Sequence, residues 1–143
     1  MAMLPFCGYN MADYFSHWLK IGAATKSENL PKIFFVNWFR RDEDGRFLWP
    51  GYGENSRVLK WIFDRVDGKS NAVKTSIGYL PSPTDIDTNG MSIDAADLDT
   101  LLSLDTDGWK AAVPQIREHY AQFGDKLPSK LAASLAELES ALA

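Results

Sequence analysis

Cysteine appears once, at Cys7, and histidine twice, in a chain of 143 residues. One cysteine excludes an internal disulfide and fits a reducing, cytoplasmic setting. No Cys/His spacing matches a zinc site, and His17 and His119 lack partners at ligand spacing, so both read as structural. Cys7 has no basic partner near it in sequence, which argues against a thiolate nucleophile. No run approaches the ~20 apolar residues of a membrane helix, and Met1 to Asn10 has neither the basic start nor the apolar stretch of a signal peptide. A soluble protein without a membrane partner is expected. The phosphate-cradling pattern G-x-x-x-x-G-K-[ST] is missing as well, as is any internal repeat.

Charge of one sign is scarce in each half. Residues 1–80 carry 11 Lys and Arg against 8 Asp and Glu, whereas residues 81–143 carry 4 against 11, for a net charge of -4 overall. An excess of three positive charges suits an anionic ligand but is too weak for a nucleic-acid surface. The acidic half reads as solvated exterior.

What the chain does have is concentrated between Asn37 and Arg57, which reads N-W-F-R-R-D-E-D-G-R-F-L-W-P-G-Y-G-E-N-S-R. Phe39, Phe47 and Tyr52 fall on connections where polar residues are usual, and Asn55 stands at a helix start. Flat apolar faces beside one directional amide match a planar heterocycle, because stacking supplies contact and the amide reads the ring's edge. The plainer alternative is core packing for the three rings and helix capping for Asn55. Asp85 to Gly90 imitates half of a calcium loop, but its twelfth position is Ala96 and Pro81 and Pro83 preclude the entering helix, so it reads as a turn.

Periodicity supplies the elements. Met11, Tyr14, Phe15, Trp18 and Leu19 mark a helix ending near Gly22. Lys32 to Phe39 reads as a buried strand with too few partners, and Phe47 to Trp49 as its neighbour across an Asp44-Gly45 turn. Val58, Leu59, Ile62, Phe63 and Val66 form the apolar stripe of a second helix, capped by Asn55 or Ser56 and closed by Gly68. Thr75 to Leu80 suggests a short strand, and Ile93 to Leu104 a short helix. A run from Trp109 to Phe123 is expected to kink or start afresh at Pro114, and Leu131 to Leu142 forms a last helix. The fold class expected is α+β, mostly helical with a few short strands, as one domain over residues 1–143.

The run I-F-F-V-N-W-F-R followed by G-R-F-L-W-P-G-Y-G-E-N-S-R-V-L-K-W-I-F resembles the guanine-binding segment of GTP-dependent phosphoenolpyruvate carboxykinase. P-F-C-G-Y-N-M-A-D-Y-F-S-H-W-L and I-G-Y-L-P are similar to flanking parts of that family, strongly from Pro5 to about Pro81 and weakly beyond. The resemblance implies a fragment of a larger α/β nucleotide-binding domain, the C-terminal part of a longer lyase that converts oxaloacetate and GTP to phosphoenolpyruvate, CO2 and GDP in gluconeogenesis. It implies that Phe39, Phe47 and Tyr52 hold guanine, that Asn55 reads its edge, and that Tyr52 stands where phenylalanine is expected. The cofactor implied is GTP or GDP; manganese or magnesium belongs to parts of the enzyme that precede this segment and is not expected to bind here, nor are catalytic residues expected. The implied partner is the remainder of the enzyme, with self-association expected for the segment alone. A reading of a different class keeps the same aromatics for a protein partner in a non-catalytic binding or assembly module.

Overall fold

The computed structural model describes residues 6–143, so the start of the loop expected from Pro5 lies outside the described residues. The chain forms two compact units, one from residues 1–31 and 105–143 and the other from residues 32–104.

In the first unit, helix α1 spans Met11–Ala24. Asn10 caps it, its Oδ1 accepting from the Ala12 amide at 2.9 Å while its Nδ2 donates to the Phe123 carbonyl at 3.2 Å. Met11 and Ala12 are buried with Phe123, and Phe15 meets Phe123 edge-to-face at 5.5 Å, so Met11, Tyr14 and Phe15 of the expected stripe face the core, whereas Trp18 is exposed. α1 continues two residues beyond Gly22 and ends as Thr25 turns extended. Helix α4 spans Thr106–Ala121 and continues through Pro114 as one helix, so there is no fresh start there. One lost amide bond is tolerated in a long helix whose Val113 is buried. Helix α5, Ser129–Leu142, packs on α4, with Leu142 buried and Arg117 paired to Glu139.

In the second unit, helix α2 spans Asn55–Val66, strands β1 (Val73–Thr75) and β2 (Gly78–Leu80) pair antiparallel with Lys74 opposite Tyr79, and helix α3 spans Ala95–Leu102. The expected buried strand is not there. Residues 32–36 have no ladder, and Ile33 and Phe35 are 91% and 97% exposed. A strand exists only through a hydrogen-bonded neighbour, and among the described residues none lies against it. The stripe of α2 is rotated from expectation: Val58 and Ile62 are half-buried, but Leu59, Phe63 and Val66 are exposed, while Trp61 is buried edge-on against Phe34 at 6.1 Å.

Apolar side chains and unpaired backbone in one segment favour pairing with another copy. The sedimentation coefficient of the 143-residue chain is expected to rise across a concentration series, and Phe35→Lys is expected to suppress the rise. A monomer at every concentration, with slow amide exchange at Phe34 and Phe35, contradicts this.

Candidate base-binding site

The aromatic stretch is held by a tight loop. Arg41 and Phe47 form an antiparallel bridge, the Leu48 amide donates to the Arg40 carbonyl at 3.0 Å, and the Asp42 amide donates to the Arg46 carbonyl at 3.0 Å. Gly45 turns the chain at φ 82°, where a side chain is strained. This loop sets Phe39 beside Phe47, ring centroids 6.1 Å apart and planes at 62°. The Arg41 guanidinium covers the Phe47 ring at 3.9 Å from its centroid.

Neither phenylalanine is core, with Phe39 71% and Phe47 45% exposed, and Tyr52 is 91% exposed. Core packing is therefore not what these rings do in this chain. Phe39 and Phe47 meet, whereas Tyr52 touches neither ring among the described residues; it opens a 3-10 turn, Tyr52–Glu54, after Gly51 at φ 131°. Two rings clasping a base lie parallel and roughly 7 Å apart, twice the ordinary carbon contact distance. The observed pair is tilted and closed, so a base between them requires the rings to separate.

Asn55 is not a cap. The turn Tyr52–Glu54 runs directly into α2, which puts Asn55 at the first helical position with Glu54 before it. The Asn55 side chain instead reaches back across the Pro50-Gly51 turn, and its Oδ1 accepts from Trp49 Nε1 at 2.8 Å. Trp49 is 6% exposed and lies against Trp38, ring centroids 6.0 Å apart. Trp49 was the residue that sequence reasoning passed over. The only signal for it was an indole donor six positions before an asparagine across a turn.

All four arginines of the stretch are engaged. Arg40 donates to the carbonyls of Leu101 and Ser103 at the end of α3, at 3.0 and 2.7 Å. Arg41 donates to the Gly45 carbonyl at 2.8 Å. Arg57 pairs with Glu54 and donates to the carbonyls of Asp87 and Asn89 at 2.8 Å, so the calcium-like segment is a turn pinned by a guanidinium. Arg46 makes a two-pronged pair with Asp97 on α3, both contacts 2.8 Å, which moors the loop beside Phe47.

The hydrogen bonds from Arg46 hold the Asp97 carboxyl below its ordinary value of 3.8, and Asp97 in turn raises Arg46. A carboxyl depressed by folding contributes stability that is complete above 3.8 and is lost as pH falls through its lower folded value. Acid titration of the wild-type chain is thus expected to release the loop below pH 3.8, read from the Asp97 carboxyl 13C shift. Arg46→Gln is expected to return that titration to the ordinary range; an unmoved midpoint shows the pair to be absent in solution.

Among the described residues no three His, Cys, Asp or Glu side chains converge as metal ligands, and no helix is long and apolar enough to cross a membrane. A hollow of about 210 Å³ lies between β1, Pro81 to Pro83 and the end of α3, and none of the four candidate residues lines it.

A family described as the phosphoenolpyruvate carboxykinase C-terminal P-loop domain matches residues 1–141. The phosphoenolpyruvate carboxykinase [GTP] of Treponema pallidum (strain Nichols) is 57% identical over 140 residues, 97% of this chain and 23% of the relative. Those of Neocallimastix frontalis and Arthrobacter sp. (strain FB24) are 52% and 45% identical over 99% and 100% of this chain, again 23% of each relative. The chain thus spans about a quarter of the length of the relatives it matches.

Proposed function

Because the chain belongs to the phosphoenolpyruvate carboxykinase (GTP) family, as a C-terminal part of it, we propose that it contributes guanine-base recognition to a lyase that converts oxaloacetate and GTP to phosphoenolpyruvate, CO2 and GDP. The observation that carries this reading is the exposure of Phe39, Phe47 and Tyr52 in one stretch of chain with an asparagine whose amide is held by a buried tryptophan. Exposed flat rings offer stacking to any base, and a fixed amide offers a choice among bases.

Phe39 and Phe47 open to admit the base, Tyr52 supplies a third face, and Asn55 meets its polar edge. The acceptor of the Asn55 amide is committed to Trp49, which leaves Nδ2 as the end that meets guanine O6. Adenine carries an amino group at that place, and two donors face to face cost ~1–3 kcal/mol. Metal and triphosphate contacts are assigned in this reading to the remainder of the enzyme. One domain of that enzyme includes all 143 residues in this reading.

The test is equilibrium binding of GTP, ITP and ATP to a full-length carboxykinase whose C-terminal part is this segment. Tighter binding of GTP than ATP, lost in Asn55→Ser, is expected. Equal affinity for GTP and ATP contradicts the reading and favours a surface for a protein partner.

A further inference from the structure

We propose that Trp49 is a positioning residue for base selection, its indole N–H fixing which end of the Asn55 amide faces the base. The inference rests on the base-recognition reading above and adds a residue that does not itself touch the nucleotide.

The two ends of an asparagine amide are nearly equal in size, so packing alone does not choose between them. Hydrogen bonding does. An indole N–H can only donate, so the Asn55 atom 2.8 Å from Trp49 Nε1 must be the carbonyl oxygen. Trp49 is buried on the chain segment just before the Pro50-Gly51 turn and lies against Trp38, so the donor is fixed in place. The Nδ2 protons of Asn55 have no acceptor among the described residues and are the end left to the ligand.

That orientation presents donors to the six-position of a purine. Guanine and hypoxanthine carry an acceptor there, and adenine carries a donor. Without the indole N–H the amide is free to turn over, its oxygen then repelling O6 and accepting from adenine's amino group. Trp49 therefore sets the sign of the selectivity, and the stacking rings leave that sign untouched.

The experiment compares GTP, ITP and ATP affinities in a full-length carboxykinase whose C-terminal part is this segment, as wild type, Trp49→Phe, and with benzothienylalanine at position 49, which keeps the bicyclic shape but has sulfur in place of the N–H. Both replacements are expected to lower the GTP-to-ATP affinity ratio roughly tenfold, the size of one hydrogen bond of about 1.4 kcal/mol. ITP is expected to move with GTP. If Trp49→Phe fails to fold, the sulfur isostere decides alone. An unchanged ratio in the isostere, while Asn55→Ser abolishes the wild-type preference, overturns the role of Trp49 and leaves base reading by Asn55 standing. A wild type that does not distinguish GTP from ATP overturns both.

Discussion

Phe39→Ala is expected to weaken GTP, ITP and ATP binding together, by ~1–3 kcal/mol for the lost stack, while Asn55→Ser weakens GTP and ITP and spares ATP. The division follows from what each group can sense. A ring face meets every base alike, and only the amide separates an acceptor at the six-position from a donor. Phe47→Ala is expected to cost less than Phe39→Ala, since Arg41 already covers part of the Phe47 ring and Phe39 is the more exposed. Asn55→Ala carries a second cost. It leaves the buried Trp49 indole without its acceptor, a loss of ~1–3 kcal/mol in stability, so thermal melts must accompany the binding data. Competition against a fluorescent guanine nucleotide checks the pattern, and a Phe39→Ala variant that changes the GTP-to-ATP ratio without a common loss defeats it.

The 143-residue chain is expected to form no phosphoenolpyruvate from oxaloacetate and GTP with manganese. Phosphoryl transfer is positioning and charge neutralisation by phosphate-binding backbone, cations and metal ions. The sequence has no G-x-x-x-x-G-K-[ST] loop, and the arginines near the aromatic cluster are occupied by carbonyls and carboxylates of their own unit. Coupled product assay against a blank is the measurement. Turnover that survives repurification and is removed by Phe39→Ala shows that the reacting groups lie within these residues after all.

The helices were legible because their evidence is local. Met11, Phe15 and Phe123 lie where a repeat of three and four places them, whereas α3 starts at Ala95 and not at the expected Ile93, because Asp94 caps it by accepting from the Asp97 amide. Residues 32–39 misled for the opposite reason: a β-branched, aromatic run states a preference for burial in a sheet, but the sheet's other strands are not encoded in it. The rotated stripe of α2 has a similar origin, since Trp61 takes the buried position and leaves Leu59 and Phe63 exposed. At Asn55 the rule for caps was sound and its position was off by one residue. The 3-10 turn at Tyr52 advanced the helix start, which released the amide for Trp49. The residues of the candidate site were legible as a cluster, and their mutual geometry was not, because ring tilt and amide orientation depend on neighbours such as Arg41 and Trp49.

The hydrogen bond from Asn10 to the Phe123 carbonyl joins residues 113 positions apart, and the core beneath it is built from both ends of the chain. During synthesis α1 therefore emerges long before its cover exists, with Met11 and Phe15 waiting on a polypeptide that must first complete residues 32–104. Bringing such distant segments together carries a loop-closure cost and slows folding. The aromatic loop is made before the clasp around α1 can close, so a chain stopped short of Phe123 leaves α1 with an apolar face for chaperones to hold.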